Sequence, residues 1–184
     1  MERVYQSILS HLDFDGKGQI LDVGCGSGAL SIRAALVWPQ ARVLGIDAWP
    51  PAYNYSQRMC EKNAESEGVA VRCRFQRGDA NKLDFPDGRF DAVVSNYVYH
   101  NITGADRQAL LLETLRVLKK GGVFALNDEM KPRLYGDMEA FAQKLRDMGY
   151  EDVRLIDTAT EAFGSCRRAA MMMLGASRML VGRK

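Results

Sequence analysis

The chain has 184 residues, 47% of them hydrophobic and 26% charged, a composition that fits one globular domain with a single core and excludes collagen-like, coiled-coil and disordered classes. Twenty-five Lys and Arg against 23 Asp and Glu leave a formal charge of +2, so the balance requires neither a nucleic-acid partner nor a membrane surface. Four cysteines without a CxxC pair and only two histidines, His11 and His100, give no zinc-site spacing, so no metal is expected, and free thiols point to a reducing cytoplasm.

In chain order, MERVYQSILSHL lacks the basic, apolar and small-residue regions of a signal peptide. It reads as a short N-terminal helical segment within residues 1–18 of a single domain spanning 1–184. Strands are expected near 19–23, 41–47, 70–77, 90–95, 122–128, 152–157 and 178–183, and helices near 28–37, 52–67, 105–118 and 136–148. The third helix shows Leu110, Leu111, Thr114, Leu115 and Leu118 at helical spacing. It is expected to end at Lys119-Lys120-Gly121-Gly122, with basic residues near its negative pole and glycine for a left-handed cap. Strands alternating with helices predict an α/β fold with a parallel sheet covered on both faces. The GDANKLDFPDG connection is too short for a full helix and reads as a loop. No apolar run approaches the length of a transmembrane helix.

The first strand runs into Asp22-Val23-Gly24-Cys25-Gly26-Ser27-Gly28 and then a helix, at the carboxyl edge where open α/β sheets bind ligands. Glycines there permit positive φ and close approach of a ligand to backbone N–H groups, and a helix N-terminus favours an anionic group. The same run reads as GxGxxA, so the loop alone does not choose a cofactor. Asp22 is placed to receive the ammonium of an amino-acid ligand or to order the loop. Asp47, ending the second strand, is placed to accept from ribose hydroxyls. Gly78-Asp79-Ala80 ends the third strand, where a carboxylate and the following N–H suit adenine. Asn96-Tyr97-Val98-Tyr99-His100-Asn101 follows the fourth strand.

Taken together, ILDVGCGSGAL, LGID, RGDA, FDAVVSN and LRVLKKGGVFALND resemble, in order, the motifs of the class I S-adenosylmethionine-dependent methyltransferases, with a weaker likeness to the small-molecule type of ubiquinone biosynthesis. The resemblance implies a Rossmann-like, doubly wound, seven-stranded sheet of order 3-2-1-4-5-7-6 with strand 7 antiparallel. It implies S-adenosylmethionine as cofactor, held by Asp22, Gly24, Gly26, Gly28, Asp47, Asp79, Ala80 and Asn96. The acceptor is expected to be a small molecule, with no nucleic acid required and a homodimer compatible with the chain. His100 is the expected catalytic residue, because imidazole is suited to moving a proton near neutrality. The segment from Asn96 to Asn101 is expected to line the acceptor pocket, and Asp128 and Glu129 to border the acceptor. Trp49 is a candidate for the adenine or ribose face. Two other readings stay open: a nicotinamide-dependent oxidoreductase, for which no TyrxxxLys spacing is present, and a noncatalytic cofactor-binding subunit. The basic C-terminal stretch with Met171, Met172 and Met173 has the pattern of a lipid or RNA face, but the favoured expectation places its methionines in the core or at a dimer contact. With only 18 residues before the first strand, the site is expected to be open.

Overall fold

The computed structural model describes residues 1–184 apart from the side chain of Tyr53. Seven strands form one sheet: β1 (Gly18–Val23), β2 (Ala41–Asp47), β3 (Cys73–Arg77), β4 (Phe90–Asn96), β5 (Leu118–Glu129), β6 (Glu151–Ile156) and β7 (Ser177–Arg183). Their order is β3-β2-β1-β4-β5-β7-β6. The first five strands pair in parallel, and β7 runs antiparallel to both β5 and β6. The expected topology is therefore the observed one.

Period-two alternation divides two apolar layers, because successive strand residues face opposite sides of a sheet. Ile20, Ala92, Val94, Val123, Ala125, Met179 and Val181 face one core, with Val4 and Ile8 of α1 (Glu2–Ser10), Ile32 and Ala35 of α2 (Ala29–Val37) and Cys60 and Ala64 of α3 (Gln57–Ser66). Leu21, Val93, Phe124, Leu126 and Leu180 face the other, against Leu111 and Leu115 of α4 (Arg107–Arg116) and Phe141 and Leu145 of α6 (Met138–Asp147). Side-chain caps fix several helix starts: Ser56 accepts from Met59 N at 3.2 Å, and Asp106 accepts from Gln108 N at 2.8 Å. Short helices α5 (Pro132–Tyr135), α7 (Thr158–Phe163) and α8 (Cys166–Met171) complete the chain.

Three expectations are corrected. The helix of 105–118 stops at Arg116, and Lys119-Lys120-Gly121-Gly122 belongs to β5, where Leu118 pairs with Phe90 and Gly121 N donates to Lys184 O. Gly121 does have a left-handed φ of 78°, but it serves a strand contact rather than a cap. The helix of 52–67 is broken, a 3-10 turn at Pro51–Tyr53 preceding α3. Of the two places expected for the methionines the core is excluded, since Met171, Met172 and Met173 are 86%, 64% and 81% exposed.

Phe124 is fully buried and packs edge-on against Tyr150, with ring centroids 6.1 Å apart. Phe124→Ala is expected to lower unfolding free energy by about 3–5 kcal/mol in urea titrations, through lost transfer energy and the cavity left behind. Val71→Ser, at a position 86% exposed, is expected to change it by no more than about 0.5 kcal/mol.

Candidate functional site

The carboxyl ends of β1, β2, β3 and β4 open on one cavity of about 500 Å³. Asp22, Gly24, Gly26, Asp47, Asp79, Ala80 and Asn96 all border it. Gly28 and His100, also expected in the site, do not. Val98 supplies apolar wall from the segment expected there, and Met1 and Tyr5 of the α1 region, Tyr55 and Ile102 add wall that sequence reasoning missed.

The glycine loop is tied to β2 through its own backbone. Gly24 N and Cys25 N donate to Ile46 O at 2.8 and 3.0 Å, and Gly28 N donates to Cys25 O at 2.8 Å. Gly26 N donates to Asp47 Oδ2 at 2.9 Å, while Gly26 O accepts from Trp49 Nε1 at 2.8 Å and from Cys60 Sγ at 3.1 Å. Trp49 N closes the set by donating to Asp47 Oδ1 at 2.6 Å. The N–H groups of Gly24, Cys25, Gly26 and Gly28 are thus engaged within the protein and fix the shape of the loop. Trp49 does border the cavity, and its indole N–H serves the loop.

Two glycines are required for different reasons. A Cβ on Gly24 would lie 2.2 Å from Val98 Cγ2, at a φ of 72°. One on Gly28 would lie 2.9 Å from the Phe75 ring, at a φ of 82°. The first keeps the β4 loop close to the cavity, and the second lets α2 and β3 approach.

Asp22 is 1% exposed and accepts from Ser31 Oγ at 2.6 Å. Burial, reinforced by repulsion from Asp47, pushes its carboxyl up to about 7 against the Ser31 hydrogen bond that lowers it. Asp79, at the rim, uses Oδ1 to accept from Asn81 N at 2.8 Å and Asn81 Nδ2 at 2.7 Å, which shapes the turn after β3. Asn96 Oδ1 accepts from Asn127 Nδ2 at 2.8 Å.

The segment after β4 is clasped by Asp128, which is fully buried. Its Oδ2 accepts from Tyr99 N at 2.7 Å and His100 N at 3.2 Å, and its Oδ1 contacts His100 Nδ1. Asp128 and Glu129, 4% exposed, are therefore interior supports, not groups bordering the cavity as expected. Tyr99 is core, its hydroxyl 2.9 Å from Thr114 Oγ1. Tyr97 borders the cavity at a left-handed φ of 57°, a conformation costly for a bulky residue. Its hydroxyl lies 2.6 Å from Ser177 Oγ, which donates to Glu129 Oε1 at 3.2 Å. No sequence pattern joins Ser177 to this network; only the antiparallel pairing of β7 with β5 brings it there. His11, set aside in the sequence, pairs with Glu161 at 3.0 Å and ties α1 to α7. Among the described residues no cluster of His, Cys, Asp and Glu has the form of a metal site.

Asp22 gives a pH signature. With its folded-state carboxyl near 7 and an ordinary value of 3.8, the native chain holds a proton that the unfolded chain has released across that interval. Ionising Asp22 therefore costs stability as pH rises from about 4 to about 7. Thermal melts at successive pH values are expected to show the wild type falling relative to Asp22→Asn through this window, with the difference levelling off above it.

The residues that converge here match a known domain. A family model described as a methyltransferase domain matches residues 20–122. A demethylmenaquinone methyltransferase of Symbiobacterium thermophilum is 31% identical over 71% of this chain and 50% of that protein. A sterol 24-C-methyltransferase of Aspergillus fumigatus is 30% identical over 70% of this chain and 32% of its own length. The chain thus spans half or less of these two curated relatives. Among solved structures, a geranyl diphosphate methyltransferase in complex with geranyl diphosphate and sinefungin aligns over 97% of this chain and 77% of its own, with TM-score 0.74 and 13% identity. A 4+2 cyclase, SpnF, aligns over 100% and 81% with TM-score 0.74 and 21% identity; these two likenesses concern the fold alone. By the match to residues 20–122, the chain belongs to the methyltransferase-domain family.

Proposed function

We propose that this chain binds S-adenosylmethionine in the cavity and directs its methyl group to a small, largely apolar acceptor. The observation that carries the reading is the convergence of Asp22, the glycine loop, Asp47, Asp79 and Asn96 on one cavity at the carboxyl edge of the sheet. The residues fit the group. Asp22 offers a buried carboxylate for an ammonium, Asp47 keeps acceptor capacity for ribose hydroxyls beyond its two N–H partners, and Asp79 with Ala80 stands at the rim for a base. Bound S-adenosylmethionine supplies a methyl group already activated on a sulfonium centre.

The protein's contribution is then orientation and exclusion of water. Tyr5, Val98 and Ile102 make the wall apolar, which suits the acceptor class suggested by relatives named for demethylmenaquinone and sterol methylation. An acceptor hydroxyl or amine must lose a proton. We assign that role to His100: the contact of Nδ1 with Asp128 holds the ring and leaves Nε2 as the nitrogen able to take the proton. His100 stands two residues after cavity-lining Val98 and immediately before cavity-lining Asn101. The four cysteines are free thiols, which supports a reducing cytoplasmic setting, and no helix is long and apolar enough to cross a membrane.

Calorimetry with S-adenosylhomocysteine and with NAD checks the ligand class; tight binding of the first and none of the second is expected. Asp47→Ala is expected to weaken binding by at least about 1.5 kcal/mol, the scale of hydrogen bonds to a charged group, since it also releases Gly26. Stronger binding of NAD would favour the oxidoreductase reading. Once an acceptor is identified, His100→Ala is expected to lower turnover about 10²-fold with cofactor affinity unchanged.

A further inference from the structure

The segment between α7 and β7 presents an unusual surface. Met171 ends α8, Met172 follows it, and Met173 turns the chain at a φ of 62°. The three side chains project at 86%, 64% and 81% exposure, whereas soluble surfaces seldom gather adjacent large apolar groups. Folding does not use them. Within α8 only Ala169 is buried, and the turn is closed by its backbone, with Leu174 N donating to Ala169 O at 2.9 Å and Ser177 N to Leu174 O at 3.2 Å.

Arg167, Arg168 and Arg178 flank this knob and are exposed. Among the described residues none of the three has an ion-pair partner, and no acidic residue occurs from Gly164 to Lys184. The knob also stands at the functional edge. Ser177, which begins β7, contacts the hydroxyl of cavity-lining Tyr97 at 2.6 Å, and Met173 lies only four residues upstream, at most about 14 Å of extended chain.

We propose that the Met171–Met173 knob, with Arg167, Arg168 and Arg178, docks the protein on an anionic phospholipid surface and turns the mouth of the cavity toward the bilayer. Charge and shape choose this occupant. Unpaired guanidinium groups are attracted to anionic headgroups, and flexible, unbranched methionine adapts to the disordered boundary of headgroups and acyl chains. A stable face for a second copy needs about 20–30 residues a side with matched packing, whereas three protruding side chains at a turn offer little area to a rigid partner. An apolar acceptor dissolved in the bilayer would then meet the cavity without crossing water. The docking itself is independent of the methyl-transfer reading, which calorimetry with S-adenosylhomocysteine tests separately.

The test is flotation of the full chain with extruded vesicles of phosphatidylcholine alone and of phosphatidylcholine with phosphatidylglycerol. The wild type is expected to float with the anionic vesicles, to bind the neutral ones at least about tenfold more weakly, and to be released as salt screens the charges. Met171→Ser/Met172→Ser/Met173→Ser and Arg167→Glu/Arg168→Glu are each expected to lose binding about tenfold or more with unchanged thermal melts and S-adenosylhomocysteine affinity. Met148→Ser, at an exposed methionine after α6, is expected to bind like the wild type. No flotation with anionic vesicles, or equal flotation of the methionine variant, would overturn the proposal. So would sedimentation equilibrium showing a wild-type dimer that the methionine variant converts to monomer, which would assign the knob to a second copy.

Discussion

The carboxylate of Asp47 holds two chain segments in one shape. With one oxygen it accepts the Gly26 N–H and with the other the Trp49 N–H, and the Trp49 indole returns to Gly26 O. The glycine loop after β1 and the turn after β2 thereby become a single hydrogen-bonded unit, seated on Ile46 O through Gly24 and Cys25. A loop of glycines is otherwise the most freely moving part of a chain. Here its shape is fixed before any ligand arrives, so little ordering entropy remains to oppose binding.

The opposite wall follows the same logic with a different acid. Asp128, inside the sheet edge, gathers two backbone N–H groups and an imidazole from the segment after β4. Between the two clasps, Val98 fills the space that a side chain on Gly24 would take. The walls are consequently interlocked: moving either one disturbs the other. Tyr97 is held in its strained backbone by this arrangement, its N–H donating to Asn127 O at 3.0 Å.

Much of this was legible from the sequence, and the exceptions have physical causes. Parallel strands buried on both faces read as short continuous apolar runs, as in FDAVVS and VFAL, so the sheet and its edge acids stood out. Leu118 to Gly122 misled because Lys-Lys-Gly-Gly is local chemistry for a helix end, while pairing with Phe90 and Lys184, 28 and 62 or more positions away, decided the outcome. Helices α7 and α8 have six residues each, too few to show a period. Asp22, Asp47 and Asp79 declared themselves by standing at or just past the ends of strands. Tyr5, Tyr55 and Ser177 reach the site through long-range packing that no spacing encodes, and Gly28 carries the motif while serving the packing of Phe75.

The reversed direction of β7 has a consequence for how such a domain can vary. Parallel strands deliver their ends to the ligand edge, but β7 delivers its beginning, since Ser177 stands opposite Glu129. The connection from β6 to β7 therefore lies on the carboxyl edge of the sheet, the edge that carries the cavity, while both of its anchors are fixed by antiparallel pairing. Residues added to or removed from that connection change the surface of this edge beside the cavity and leave strand register, the glycine loop and both acid clasps untouched. It is the place where this architecture can exchange one clientele for another by changing a loop instead of a fold.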